Sequence, residues 1–426
     1  MVNLHRLAFW ALVAFVFAMP WERSVPVPGF GAAGTPLGVI ALLLALAAIF
    51  AGGRLKLRPP SLLLGLMALF VLWSALTYFW SIVPASTLSR TATYVQLLVM
   101  VWLMWQLART ERDFRILLQT FVFGSVFAIG VVSVAFLRGE ATVISATTGL
   151  TRFSFAGGDP NYFALTLALA IPMAWLLLLR GRNRYLTFLN MAYIVLAVIA
   201  IGLSGSRTGA VAAVTALSII PVTYWHLGLG RKVLLVCALG TSAFGALWIV
   251  PDAAFQRLLG TPHDIAGENL AGRQNLWRAG LEFLSQNERA MLIGAGSASF
   301  RRAVEPQLQD RAMTAHNTYL SVLLDNGLVG VALLLGLFAT AVAPHLTTSS
   351  RRSLSLILLL TLAIGVFALS WESAKPFWFV LGILTGQRAL VLGSLGSNSQ
   401  IRVEGTPDPG ATSISRVISG TTYEIR

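Results

Sequence analysis

Apolar runs of about 20 residues alternate along this chain with short polar breaks rich in arginine, glycine and proline. A run of that length, wound as a helix, matches the hydrocarbon thickness of a bilayer. The pattern predicts spans at 4–20, 33–52, 61–80, 88–108, 114–137, 160–180, 186–203, 208–226, 231–250, 319–343, 353–371 and 376–393. The first is short, and Arg6 before it resembles the charged start of a signal sequence. Ala18-Met19-Pro20 is a poor cleavage site, so the segment is read as a retained span. Two stretches break the rhythm: 251–318, far longer than an ordinary connection, and a tail from Ser394 rich in Ser, Thr and Gly. The chain therefore divides into spans one to nine (1–250), a loop subdomain (251–318), spans ten to twelve (319–393) and a disordered cytoplasmic tail (394–426). The expected fold is an all-α polytopic membrane protein of about 12 transmembrane helices.

Composition agrees. Of 426 residues 56% are hydrophobic and 11% charged, against roughly 25% charged in a soluble domain. A soluble enzyme, a disordered chain and a disulfide-stapled secreted module are all excluded. The net charge of +14 does not point to nucleic acid, because the basic residues punctuate apolar segments instead of gathering on one face. They fall in alternate loops: Arg54, Lys56 and Arg58; Arg109, Arg112 and Arg115; Arg180, Arg182 and Arg184; Arg231 and Lys232; Arg351 and Arg352. Positive charge stays on the cytoplasmic side during insertion. With twelve spans, both termini are cytoplasmic and 138–159, 203–209 and 251–318 lie on the opposite face.

That opposite face carries the candidate chemistry. Arg207 sits in the tight turn Leu203-Ser204-Gly205-Ser206-Arg207-Thr208-Gly209, and Arg152 precedes the Gly157-Gly158-Asp159-Pro160-Asn161 turn. Within 251–318, seven arginines balance seven acids, and Leu276, Trp277, Gly280, Leu281 and Leu284 recur at helical spacing. This predicts an amphipathic helix at the membrane surface carrying Arg273 and Arg278. His316 stands at the start of the next span, in His316-Asn317-Thr318-Tyr319-Leu320. Arginines grip phosphate oxygens bidentately and stay charged, and histidine takes up a proton near neutrality. Each feature also has a plainer reading: an arginine that snorkels at a span end, a histidine beside a helix cap, a turn that only starts a helix. Gly294-Ala295-Gly296 reads either as a phosphate nest or as an ordinary turn. No span holds a central carboxylate or lysine of the kind that marks ion-coupled transport, and no metal-ligand spacing or phosphate loop is present. No metal or other cofactor is expected.

Taken in order, Leu203 to Gly209, Gly272-Arg273-Gln274-Asn275-Leu276-Trp277, Ile293-Gly294-Ala295-Gly296, His316 to Leu320 and Asp325-Asn326-Gly327-Leu328-Val329-Gly330 resemble the O-antigen ligase and polymerase superfamily. The Arg152…Gly157…Asp159…Asn161 run is similar to a further element of that family. The resemblance implies a GT-C-like inner-membrane glycosyltransferase that inverts configuration, needs no metal and works at the periplasmic face. Its donor would be an undecaprenyl-diphosphate glycan and its acceptor lipid A–core, or in the polymerase branch another lipid-linked glycan. By matching motif, Arg207 and Arg273 would hold the diphosphate and His316 would be catalytic. Arg152 fits a third phosphate or sugar contact, Asp159 a structural or sugar-binding role, and Arg278 extends the set along its helix. Transfer of glycan to protein belongs to the same superfamily. A lipid-linked glycan transporter is the alternative of a different class.

Overall fold

In a computed structural model, residues 4–23, 26–27, 31–32, 34–50, 57–139, 142–144, 151–154, 158–181, 183–224, 227–249, 273–309, 312–343, 352–386, 416–418 and 421–423 are described. The first nine helices follow the apolar runs: α1 (Leu4–Ala18), α2 (Gly34–Phe50), α3 (Leu62–Leu76), α4 (Pro84–Leu107), α5 (Glu111–Leu137), α6 (Pro160–Arg180), α7 (Arg184–Ser204), α8 (Arg207–Leu217) and α9 (Ile219–Thr223). Then come α10 (Leu229–Ile249), α11 (Arg273–Gln286), α12 (Glu288–Ile293), α13 (Phe300–Leu308), α14 (Thr318–Val342), α15 (Arg352–Gly365) and α16 (375–386). Among the described residues there are also three antiparallel ribbons of two or three residues per strand: Pro26–Val27 with Gly31–Ala32, Thr142–Ile144 with Thr151–Phe153, and, in the separate unit 389–426, Arg416–Ile418 with Thr421–Tyr423. Apart from the last ribbon, the tail expected to be disordered lies outside the described residues.

Among the described residues, five stretches are long and apolar enough to cross a membrane: Leu62–Trp80, Glu111–Leu137, Pro160–Arg180, Arg184–Ser204 and Thr318–Val342. Leu4–Ala18, Gly34–Phe50, Arg207–Pro221 and Ser355–Ala368 are apolar but shorter. The expected span 208–226 is interrupted at Ser218, which accepts no capping bond from the helix it opens. Large apolar side chains such as Leu72, Phe79, Phe188 and Val214 stand exposed, a surface suited to lipid and not to water.

Several helix starts carry side-chain caps. Thr110 and Asp113 form a reciprocal capping box on α5, Asn183 caps α7 and Ser206 caps α8. Asp159 accepts from the Asn161 amide and Pro160 occupies the first turn of α6, where its missing N–H costs nothing. Helix α6 is apolar all round and nearly all buried, with α5, α7, α8 and α15 against it. It is the centre of the bundle.

Residues 273–309 belong to the same unit as the helices around them. Leu276, Leu284, Phe300, Val304, Leu320 and Leu324 form one buried cluster that joins α11, α13 and α14. The apolar face of α11 is therefore covered by protein and does not lie on lipid; of the expected face, Leu281 remains exposed. Residues 251–272 lie outside the described set.

Candidate functional site

Two glycine-bearing motifs that sequence spacing leaves ambiguous turn out to lock together. Gly327 interrupts α14 with φ 69°, a left-handed conformation that a side chain resists. A Cβ there would strike the Leu292 carbonyl, and one on Gly294 would strike the Asp325 carbonyl. The amides of Gly294, Ala295 and Gly296 donate to the carbonyls of Ala290, Leu324 and Asp325 at 2.9, 2.8 and 3.0 Å. Those amides are occupied, so Gly294-Ala295-Gly296 is not a phosphate nest. It is a strap across the kink of α14.

Asp325 completes the strap. Its Oδ2 accepts from the Ala298 amide at 2.8 Å, and its Oδ1 accepts from the amides of Ser299 and Phe300 at 3.0 Å each. Asn326 binds the end of α3, accepting from Trp73 Nε1 through its carbonyl at 2.8 Å and from Ser74 Oγ through its side chain at 3.2 Å. Trp80 Nε1 donates to the Gly294 carbonyl at 3.0 Å, and the Ser297 amide donates to Thr77 Oγ1 at 3.1 Å. The loop is thus tied to the α3–α4 connection on one side and to α14 on the other.

His316 is held at both flanks. Trp277 Nε1, one turn after Arg273 on α11, donates to the Ala315 carbonyl at 2.9 Å. Asn317 caps α14 by accepting from the Leu320 amide at 3.1 Å. Thr318 Oγ1 donates to the Leu369 carbonyl at 2.7 Å and accepts from the Trp371 amide at 2.8 Å. Between these anchors His316 takes φ 46°, a strained choice for a residue with a side chain and one that clusters at functional sites. Burial pushes its imidazole below the ordinary value; the Arg273 charge pushes the same way and Asp159 opposes it. A neutral imidazole is thereby favoured.

The imidazole faces a cavity of about 180 Å³ lined also by Asp159, Tyr162, Arg23, Arg90 and Arg301 and by Ser370 to Ser373. Arg90 Nη1 meets Glu372 Oε1 and Ser373 Oγ, both at 2.9 Å, and Ser321 Oγ donates to the same carboxylate oxygen at 3.3 Å. Arg23 lies 3.8 Å above the Tyr162 ring. Among the described residues no group of His, Cys, Asp and Glu side chains is arranged to hold a metal ion.

The sequence-predicted residues divide. Asp159 lines the cavity with His316, and Arg273 is close enough to shift the imidazole. Arg207 does not line the cavity but opens α8 beside it: Ser206 Oγ donates to Asn161 Oδ1 at 2.8 Å, and Asn161 donates to Asp159 at 2.8 and 3.0 Å. Arg152 is placed by its backbone opposite Val143; its side chain lies outside the described residues. Arg278 stands apart, exposed on α11 in a separate open cavity with Gln274, Leu281 and Glu282.

Comparison with known proteins bears on this arrangement. Residues 192–335, from within α7 to within α14, match the O-antigen ligase family. This stretch belongs to the O-antigen ligase superfamily. No curated protein matches the chain. At superfamily level the O-antigen ligase match means glycosyl transfer of the ligase or polymerase type by a membrane protein. The O-antigen ligase stretch includes Arg207, Arg273, Arg278 and His316, while Arg23, Arg90, Asp159 and Glu372 lie outside it. Sequence reasoning passed over Arg23, Arg90 and Arg301 because each resembles an interfacial anchor when read singly. A usable signal was present: Glu22 and Glu372 are acids at the ends of apolar runs, and each has found a base, Lys375 at 2.6 Å and Arg90 at 2.9 Å.

Proposed function

We propose that the protein transfers a glycan from undecaprenyl diphosphate to lipid A–core, with inversion and without a metal ion, at the periplasmic face of the inner membrane. In this reading twelve spans cross the bilayer in a GT-C-like arrangement, with both termini cytoplasmic. Arg207 and Arg273 offset the charge of the diphosphate, and Arg152 supplies a further phosphate or sugar contact. Arg278 extends the set along α11, where it lines a separate cavity. His316 takes the proton from the acceptor hydroxyl as that oxygen attacks the anomeric carbon opposite the departing diphosphate. Diphosphate is a good leaving group, so positioning and charge neutralisation carry most of the rate.

The observation that supports this best is the state of His316: pinned on both sides, kept neutral by burial and Arg273, and open to a cavity. A buried histidine serving only as a helix cap needs no such opening, and Asn317 already supplies the cap. The deciding experiment incubates the purified protein and chelator with undecaprenyl-diphosphate glycan, with and without lipid A–core. Glycan appearing on lipid A–core is the expected product. Chain growth without lipid A–core would assign the polymerase branch instead, and a requirement for divalent ions would remove the arginine-only account.

A further inference from the structure

The cavity beside His316 is lined by three arginines and three carboxylates, and the carboxylates already have partners, whereas two of the arginines have no ion-pair partner among the described residues. Asp325 has both oxygens taken by the 298–300 loop. Glu372 is engaged by Arg90 and Ser321, and Glu22 by Lys375. Asp159 accepts from Asn161 at the cap of α6. Against this, Arg23 and Arg301 are both exposed. Arg23 rests on an aromatic face, and among the described residues Arg301 is found in no ion pair or hydrogen bond, unlike Arg302, which pairs with Glu305. Arg90 is answered by Glu372, so the cations available to an anion entering the cavity are Arg23 and Arg301, with Arg90 beside them.

Resting on the transfer reading above, we infer that Arg23, Arg90 and Arg301 form a binding site for an anionic substituent, phosphate or carboxylate, on the acceptor saccharide. The assignment to acceptor and not donor follows from His316. Arg273 acts on the imidazole without lining the cavity, whereas Arg23, Arg90 and Arg301 line it together with the imidazole. Two sets of positive charge thus meet at one base. In a displacement with inversion, the base belongs to the incoming alcohol and the diphosphate leaves from the far side. The set sharing the cavity with the base therefore faces the alcohol. Arg90 is pre-oriented by Glu372 and Ser373, and Arg301 and Arg23 supply the exposed arms of the clamp, with the fork geometry that suits phosphate and carboxylate.

The test uses the full chain in zwitterionic nanodiscs, so that no lipid headgroup can act as the anion. Lipid A–core is presented untreated, enzymatically freed of phosphate, or with its carboxylates methyl-esterified. Binding is measured directly on the His316→Ala protein, and KM for donor and acceptor on protein with His316 intact. Removing one anion class should weaken binding roughly ten- to hundredfold, as expected for loss of charged hydrogen bonds, and which treatment does so identifies the anion. Arg301→Gln and Arg23→Gln, both at exposed positions, should each raise the acceptor KM, leave the donor KM unchanged and abolish the difference between treated and untreated acceptor. Arg301→Lys should recover part of it. Equal binding of all three preparations, or an effect of Arg301→Gln on the donor KM alone, overturns the inference. A protein that binds untreated lipid A–core selectively but transfers nothing would leave the site standing and remove the glycosyl-transfer reading.

Discussion

His316 carries its argument in its proton affinity. Because burial and Arg273 lower it while Asp159 raises it, the imidazole is unprotonated at neutral pH and stays so below the ordinary value of about 6.5. A rate that depends on this base rises with pH through the lowered value and is flat above. The acid limb of kcat/KM should therefore have its midpoint below 6.5. Removing the Arg273 charge by Arg273→Gln should move that midpoint up, and Asp159→Asn should move it down. A change in rate without either shift would mean that His316 does not titrate in the reaction. His316→Ala should cost a factor of about 10²–10⁴ in transfer, measured as initial rate at saturating donor. Arg207→Lys tests the other half of the proposal: a point charge without the bidentate fork should raise the donor KM, and an unchanged KM would make simple charge sufficient.

At the scale of elements, the kink of α14 is what the site hangs from. Gly327 has no room for a Cβ against the Leu292 carbonyl and has a left-handed backbone. Gly327→Ala should cost on the order of 1–3 kcal/mol and lower the melting temperature of the detergent-solubilised protein; an unchanged melting temperature would mean that the strap is slack. Trp277→Phe keeps an aromatic ring, though a smaller one, and removes the indole N–H that bonds to Ala315. It should lower kcat more than it raises either KM, since the ground-state contacts remain while the histidine loses its support. The motifs around these residues were legible as a set, but their meaning was not. Period and spacing place Arg273, Trp277 and His316 correctly on a helix and before a span. They cannot show that Ile293 to Gly296 answers Asp325 to Gly330, because that fit joins amides to carbonyls across some 30 positions and carries no periodicity of its own. The same limit explains α11: its apolar face is visible in the sequence, but whether protein or lipid covers it depends on Phe300 and Leu320, which are distant in sequence.

For the whole molecule, the alternation of basic loops makes a claim about sidedness that the helix ends allow to be sharpened. At one end, the Arg58 amide meets Gln106 at 2.9 Å, and Arg231 donates to the carbonyls of Leu179 and Gly181 at 3.0 and 2.8 Å. These are the arginine-rich connections. At the opposite ends of α3, α4, α6 and α7, Trp80 meets Gly294 and Ser206 meets Asn161, and at the start of α14 Thr318 meets Leu369. The connections poor in basic residues are thus bonded to the segments around His316, and under the rule that retains arginine in the cytoplasm the proposed transfer site would face outward. Labelling tests this. With Cys237 first replaced by serine, Ser285→Cys on the exposed face of α11 should react with a membrane-impermeant maleimide in intact spheroplasts, while Arg184→Cys should react only after permeabilisation. Were the two to exchange behaviour, the guanidiniums and the imidazole would face the cytoplasm, where a base poised for an extracytoplasmic acceptor has nothing to deprotonate.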